Sequence, residues 1–263
     1  MRVLGPLLFA VSVLSCGGDG GSTTGTPGGT GTPPAAGFSK RSESESGISI
    51  PYQVWAPQNF SASRQWPIVV ALAGTGERGS DGDKQITVGM GPLVRSQPNF
   101  PAVVVFPQIP SDETGRAAFD QAIYKIVSDV IRDYNGDATR VYLTGLSYGG
   151  TESFTILYAN SAPFAGFVGV SAGICSRCIQ SGATLDQAQA LVAQKLKTFP
   201  IWLFQGDQDT NIPVTMTRSL VDAFRTAGAT TSFKYTEYAG AGHSIWDTVY
   251  GTQATWDWLF AQR

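Results

Sequence analysis

The sequence is poor in histidine, cysteine and charge, and each shortage excludes a class of function. It contains one histidine and three cysteines, and 14% of its 263 residues are charged. The formal net charge of −2 leaves no basic surface for nucleic acid, so we expect no nucleic-acid partner. With so few histidines and cysteines, no second cluster exists to complete the four ligands of a zinc site, and we expect no metal.

An apolar run long enough to span a bilayer is not evident at the N-terminus. Val3–Leu14 follows the basic Arg2, but it is shorter than the roughly 20 residues that a membrane helix needs. The run is typical of a secretory signal, and the sequence VLSC that follows it resembles a bacterial lipobox. We therefore predict a signal peptide over residues 1–15, cleaved before a lipidated Cys16. An ordinary secretory signal with an incidental cysteine is the alternative.

Residues 16–40 are rich in glycine, threonine and proline and have almost no apolar side chains. Such a segment cannot bury enough surface to offset the entropy lost on ordering, so we predict a flexible tether followed by a folded domain at 41–263. The protein is then expected to be exported and anchored at the cell envelope by its lipid, or secreted, with no other membrane contact. Cys175 and Cys178 are expected to form a local disulfide in that oxidising compartment. A thioredoxin-like redox pair is the alternative.

Strand-like and helix-like segments alternate through the folded part. Short continuous apolar runs, as in Trp66–Gly74 and Pro101–Gln108, are typical of strands buried on both faces. Residues 119–134 show the period of an amphipathic helix, and Thr184 is placed to cap a later one. The alternation predicts a single α/β domain with a mostly parallel sheet and helices on both faces. Its chemistry should lie beyond the carboxyl ends of the strands.

Ser147 follows the strand-like sequence RVYLTGL and lies within the motif G-L-S-Y-G, residues 145–149. This G-x-S-x-G motif alone could arise by chance, but its place between a strand and a helix is typical of a nucleophile elbow. A serine hydroxyl needs a base to take its proton. The sole histidine, His243, lies in a glycine-rich loop after the last predicted strand, so we predict that it is this base.

The base in turn needs a carboxylate to orient it. Asp207 and Asp209 follow the penultimate predicted strand. We choose Asp209, because it lies further out on the loop, whereas Asp207 could simply cap the turn. Asp247 is a lesser alternative for the acid, because we expect it to cap a short turn after Trp246. The order of Ser147, Asp209 and His243 along the chain is that of the α/β-hydrolase triad.

Two backbone N–H groups are expected to stabilise the oxyanion of a tetrahedral intermediate. Tyr148, the residue after the nucleophile, supplies one of them. Thr75, in the loop after an earlier strand, is our choice for the other, and Gly76 is the alternative. Trp246 is a candidate wall of the substrate pocket, although plain core packing explains an aromatic residue there equally well.

Together these motifs resemble the α/β-hydrolase superfamily and, more narrowly, secreted esterases of the feruloyl esterase and polyhydroxybutyrate depolymerase type, like carbohydrate esterase family 1. GDQDTNIP is similar to their acid loop, which places the acid on Asp209, and GAGHSIWD is similar to their histidine loop. AGTGERG resembles the H-G-x-G-E-R-G loop of related enzymes, but Ala73 stands where histidine is usual. The resemblance covers roughly residues 45–260.

The motifs and the resemblance imply a serine carboxylic ester hydrolase that works through an acyl-enzyme intermediate without a cofactor. Feruloyl, acetyl or polyester substrates are expected, as small molecules or polymer side groups, and the protein is expected to be a monomer. A serine peptidase with the same triad is an alternative, because ester and amide hydrolysis use the same groups. A catalytically silent surface-binding module is a third hypothesis.

Overall fold

The computed structural model of the protein describes residues 35–263. The predicted signal peptide, the lipidation site Cys16 and most of the tether lie outside the described residues. The first strand begins at Gly37, so regular structure starts before the predicted boundary at residue 41. Within residues 35–263, no helix is both long and apolar enough to cross a membrane.

Within residues 35–263, eight strands form one sheet. In chain order they are β1 (Gly37–Glu45), β2 (Ile48–Ala56), β3 (Trp66–Leu72), β4 (Val103–Pro107), β5 (Gly136–Leu146), β6 (Gly166–Val170), β7 (Ile201–Gly206) and β8 (Phe233–Tyr238). Their spatial order is β1-β2-β4-β3-β5-β6-β7-β8. β2 is antiparallel to both β1 and β4, and the remaining neighbours are parallel. The predicted mostly parallel sheet is confirmed.

Helices cover both faces of this sheet. They are α1 (Met90–Ser96), α2 (Glu113–Asp133), α3 (Tyr148–Ala159), α4 (Ser176–Ile179), α5 (Leu185–Leu196), α6 (Val214–Thr226), α7 (Trp246–Gly251) and α8 (Gln253–Phe260). One apolar cluster joins the sheet to α2, α3, α5 and α6, and a second joins it to α1, α7 and α8. Along β3, Ile68 and Val70 face the first cluster while Val69 faces the second. A strand buried on both faces explains the continuous apolar run in the sequence.

β2 is more buried than the sequence predicts, because β1 and not β2 is the edge strand of the sheet. The sequence predicts a partly exposed strand over residues 47–57, but β2 is buried from Ile50 onward. β1 covers the edge of β2, and the side chains of β2 join the apolar clusters on both faces of the sheet. Side chains tie β1 to α2: Arg41 donates a 2.6 Å hydrogen bond to Asp133, and Lys125 contacts Glu43 at 2.6 Å. These are contacts between residues distant in the chain, which the local sequence does not reveal.

The predicted disulfide between Cys175 and Cys178 is present at the start of α4. Its Cα atoms are 5.2 Å apart, a normal separation for a disulfide. Arg177, between the two cysteines, contacts Glu113 at 2.9 Å and so links α4 to the first turn of α2. The surroundings of this pair differ from those of a thioredoxin-like redox site, which opens a helix in a small domain. Here α4 has only four residues and follows β6 of an eight-stranded sheet.

A cluster of three charged side chains lies between α2 and α3. Arg116 is 3.3 Å from both Asp120 and Glu152. Burial, together with the hydrogen bond and the charge of Glu152, raises the pKa of Asp120 to about 8. Because Arg116 cannot offset both negative charges, Asp120 keeps its proton near neutral pH.

We expect Asp120→Asn to abolish a pH dependence of stability that arises from this cluster. The pKa of Asp120 is higher in the folded chain than its ordinary 3.8, so the folded state binds the proton more tightly. The resulting stabilisation is present below about pH 4 and is lost as the pH rises towards about 8. Between those limits the wild type should lose at least about 1 kcal/mol relative to the variant.

Urea unfolding at about pH 5 and about pH 9 measures this difference. The matched control is Asp222→Asn on α6, which removes a carboxylate whose side chain is 71% exposed and should leave the wild-type pH dependence unchanged. Parallel pH profiles for wild type and Asp120→Asn would contradict the raised pKa of Asp120.

Candidate active site

Ser147 lies at the sharp junction between β5 and α3. Its φ of 52° and ψ of −120° place it in a region that residues other than glycine rarely adopt. A Cβ on Gly145 would collide with the carbonyl of Gly149, and a Cβ on Gly149 would collide with the carbonyls of Leu72 and Ala73. Both positions therefore require glycine, because the ends of β3 and β5 approach α3 so closely. The geometry is that of the predicted strand-to-helix elbow.

The structure brings together the three side chains predicted from the motifs. His243 Nε2 is 2.8 Å from Ser147 Oγ, and His243 Nδ1 is 2.7 Å from Asp209 Oδ2. A neutral imidazole donates to the carboxylate through Nδ1–H, which leaves Nε2 free to accept the serine proton. The arrangement is therefore suited to activating Ser147 as a nucleophile.

Asp209 is held by donors on both carboxylate oxygens. Its side chain is fully buried. Oδ1 accepts from the N–H groups of Asn211 and Ile212 at 2.8 and 2.9 Å, and Oδ2 accepts from Gln205 at 2.7 Å in addition to His243. These bonds satisfy a carboxylate that would be costly to bury alone, and they aim it at the imidazole.

The other two candidate acids have different contacts. Asp207 accepts a 2.8 Å hydrogen bond from the N–H of Gly240, and its own N–H donates to Tyr238 at 3.1 Å. It thus joins the loop after β7 to the loop after β8, the turn-bracing role considered for it. Asp247 is exposed in the first turn of α7. Of the three, Asp209 is the one bonded to His243.

The triad opens into a cleft of about 460 Å³. Both predicted oxyanion residues, Thr75 and Tyr148, line it beside Ser147, as does the alternative, Gly76. Tyr148 is the first residue of α3, and Thr75 is the first residue of a short 3₁₀ turn over Thr75–Glu77. Helical geometry leaves such N–H groups without a partner, and neither donates a hydrogen bond within residues 35–263.

Trp246 and Tyr148 are aromatic side chains in the wall of this cleft, and Arg78 lies behind Tyr148, outside the lining. Trp246 lines it, with its ring edge-on to His243 at 5.8 Å between centroids. Arg78 lies 4.5 Å over the ring of Tyr148 and donates a 2.9 Å hydrogen bond to the carbonyl of Pro110. Arg78 therefore links the oxyanion loop to α3 and to the segment between β4 and α2.

The oxyanion loop has a support that the sequence did not reveal. Ala73, where related enzymes carry histidine, is buried and offers no polar group. Gln108, just after β4, is also buried; it donates to the carbonyl of Glu77 at 3.1 Å and accepts from the N–H of Gly82 at 2.6 Å. The loop is thus held from the end of the neighbouring strand.

Ser171 is a second residue that sequence reasoning missed. It follows β6, is fully buried, and has a φ of 49°. Its hydroxyl donates a 2.7 Å hydrogen bond to the carbonyl of His243, and its N–H donates to Phe204 at 2.8 Å. Ser171 thus fixes the backbone that carries the imidazole. A lone serine after a strand has no local signature, and only its position at the carboxyl edge could have drawn attention to it.

We expect Ser171→Ala to lower kcat about tenfold with little change in KM, because a displaced imidazole reduces proton transfer more than it reduces binding. Steady-state kinetics on a short ester measures both constants. The matched control is Ser232→Ala, which removes a hydroxyl that donates to the carbonyl of Lys197 and does not contact His243. A Ser171→Ala variant with the kcat of the control would show that the bond to His243 does not position the base.

Within residues 35–263, no group of three or more His, Cys, Asp and Glu side chains is arranged to hold a metal ion. The strand order, the elbow and the Ser-His-Asp arrangement define an α/β-hydrolase. A sequence profile of the family described as phospholipase/carboxylesterase matches residues 96–253, more than half of the chain. The chain belongs to this family. No curated protein matches the sequence.

Several solved structures resemble the chain. A thermostable esterase is 28% identical with a TM-score of 0.71; the match covers 86% of this chain and 63% of that one, so the chain spans less than two thirds of its length. The feruloyl esterase module from Clostridium thermocellum, a serine-to-alanine mutant complexed with sinapinate, is 13% identical with a TM-score of 0.65 and coverages of 83% and 88%.

Thermogutta terrifontis esterase 2 phosphorylated by paraoxon is 13% identical with a TM-score of 0.62, and the match covers 81% of this chain and 86% of that one. At such low identity, the likeness to this protein and to the feruloyl esterase module concerns the fold alone.

Proposed function

We propose that the protein is a serine carboxylesterase that forms an acyl-enzyme intermediate on Ser147. The observation that carries the proposal is the hydrogen-bonded chain from Ser147 through His243 to the buried Asp209. These three hydrogen-bonded side chains lie at the wall of a cleft large enough for a small acyl or aryl group. Membership of the phospholipase/carboxylesterase family favours an ester over an amide as the substrate.

In the acylation step, Ser147 Oγ attacks the ester carbonyl carbon while His243 Nε2 takes the hydroxyl proton. Asp209 stabilises the resulting imidazolium and keeps the ring in the productive tautomer. As the tetrahedral intermediate collapses, the bond to the alkoxy oxygen breaks and the imidazolium protonates the departing alcohol. Water then attacks the acyl-enzyme while His243 takes its proton. The bond between the acyl carbon and Ser147 Oγ breaks, the imidazolium returns the proton to Oγ, and the carboxylic acid is released.

We assign the stabilisation of the oxyanion in each tetrahedral intermediate to the N–H groups of Thr75 and Tyr148. Both residues line the cleft next to the nucleophile, and neither N–H is used by the fold within the described part of the chain. The N-terminus of α3 adds partial positive charge at the same place. Such preorganised donors make a large contribution to acyl transfer.

For the substrate, we propose the narrower class of feruloyl-type, acetyl-type or polyester esters of secreted esterases. The motif resemblance over the acid and histidine loops supports it, and so does the apolar lining by Val88, Leu146, Ile212 and Trp246. Rates on methyl hydroxycinnamates, acetylated xylan and polyhydroxybutyrate would rank these substrates.

We also propose that the protein is exported as a monomer and held at the cell envelope by a lipid on Cys16. The sequence VLSC and the glycine-rich residues that follow it support this proposal. The disulfide between Cys175 and Cys178 agrees with an oxidising compartment. Fractionation of expressing cells, with Cys16→Ser as the comparison, tests it: the wild type should be in the membrane fraction and the variant should not.

The proposed reaction class is tested by comparing p-nitrophenyl esters with the matching p-nitroanilides of the same acyl groups. We expect turnover of the short esters and much slower turnover of the anilides. Comparable rates on both series would favour the peptidase. If a folded protein turns over neither the esters nor the anilides, a binding module is favoured instead.

A further inference from the structure

Glu77 places a carboxylate at the proposed active site that the catalytic mechanism does not use. Among the residues of 35–263 that line the cleft, Glu77 is the one acidic side chain, and no lysine or arginine is among them. Glu77 ends the 3₁₀ turn that begins at the oxyanion residue Thr75. It is only partly exposed, so its charge is less screened than that of a surface carboxylate.

The carboxylate of Glu77 lies close to the nucleophile. A Cβ built on Gly74 would be 3.1 Å from Glu77 Oε2 and 3.7 Å from Ser147 Cβ. The carboxylate and the nucleophile therefore flank the same glycine, and the sum of these two distances is the upper limit of their separation. A substrate group beside the scissile bond comes within the range of this charge.

Within residues 35–263, the hydrogen bonds of Glu77 involve its backbone. Its N–H donates to Gly74, and its carbonyl accepts from Gln108. Arg78, the adjacent cation, is directed elsewhere, since it stacks on Tyr148 and donates to Pro110. The fold thus leaves the carboxylate oxygens of Glu77 available to a ligand.

The catalytic acid adds to the negative field in the cleft. Asp209 is fully buried and bonded to His243, so it cannot contact a substrate, but its charge has the same sign as that of Glu77. Two carboxylates therefore lie near the nucleophile, whereas Arg78 lies outside the lining of the cleft and is stacked on Tyr148. The local potential inside the cleft then favours positive and disfavours negative substrate groups.

We propose that Glu77 is a specificity-determining residue that favours esters with a cationic group next to the scissile bond and rejects esters with a carboxylate there. The inference rests on the proposed esterase function and adds a charge class to its substrate. It assigns Glu77 no part in proton transfer.

The test uses two matched pairs of esters. In the first pair the alcohol differs: choline acetate carries a positively charged nitrogen where 3,3-dimethylbutyl acetate carries a neutral carbon. p-Nitrophenyl hemisuccinate and p-nitrophenyl succinamate differ in a carboxylate against a carboxamide on the acyl side. The readout is the ratio of kcat/KM within each pair, because a uniform effect of a mutation on the oxyanion cancels in that ratio.

The wild type should prefer choline acetate in the first pair and the succinamate in the second. Glu77→Gln, which keeps the shape and removes the charge, should reduce at least one of these preferences by roughly five- to tenfold, on whichever side of the ester faces the residue. Higher ionic strength should weaken the preferences of the wild type more than those of the variant. The matched control is Asp222→Asn, which changes the net charge equally at an exposed site paired with Arg225 and should leave both ratios unchanged.

Three results would overturn the inference. If Glu77→Gln keeps both ratios within about twofold of the wild-type values, Glu77 does not set the charge preference. If the wild type hydrolyses the charged and the neutral ester of each pair with equal kcat/KM, this inference fails while the esterase proposal stands. A folded wild type that hydrolyses neither the neutral nor the charged esters would instead contradict the esterase proposal itself, and this inference with it.

Discussion

Replacing Ser147 with alanine is expected to lower kcat for short esters by about 10⁴-fold or more, because no other group can form the acyl-enzyme. The side chain removed is small and lies at the wall of the cleft, so folding should be retained. Alanine tolerates the φ of 52° no worse than serine does. Stopped assays with p-nitrophenyl acetate give kcat, and circular dichroism checks the fold.

The variant His243→Ala and the double variant test whether Ser147 and His243 act in the same step. His243 contacts both other members of the triad, so its loss should cost nearly as much as the loss of Ser147. The double variant should be little worse than either single one, since the groups act as a unit. Effects that multiply independently would show that the two side chains do not work in the same step.

Asp209→Asn is expected to lower kcat by roughly 10³- to 10⁴-fold, whereas Asp207→Asn should change it less than about tenfold. The first substitution puts a carboxamide where His243 Nδ1–H now finds a carboxylate acceptor, which favours the wrong tautomer or rotamer of the imidazole. Asp207 contacts the N–H of Gly240 and not the imidazole, so its replacement should mainly loosen a loop.

The two aspartates form a matched pair, because they lie in the same loop and undergo the same chemical change. Kinetics on one ester, with unfolding free energies for both variants, separates catalysis from stability. An inactive Asp207→Asn beside an active Asp209→Asn would require a different acid and a different position for the histidine loop.

The triad could be predicted from the sequence because each member lies in a short segment with its own signal. Ser147 is flanked by glycines after a strand, His243 is the sole histidine, and Asp209 occupies a polar loop after the penultimate strand. Parallel strands bring such loops to one edge of the sheet. The sheet itself followed from continuous apolar runs such as that of β3, which strands buried on both faces require.

The remaining features depend on contacts between distant parts of the chain. β1 is polar and follows a glycine-rich segment, so the sequence predicts part of it as tether; its pairing with β2 and its ion pairs with α2 order it. Ser171 and Gln108 hold loops through side-chain hydrogen bonds to backbone groups far away in sequence. No periodicity or motif marks such residues.

The most direct test of the esterase account is covalent labelling of the nucleophile by paraoxon, an organophosphate that reacts with activated serines. The account predicts one diethylphosphoryl group per protein, found by peptide mass spectrometry on Ser147 and lost in both Ser147→Ala and His243→Ala. An unlabelled wild type, or a label on a different residue that survives Ser147→Ala, would contradict it.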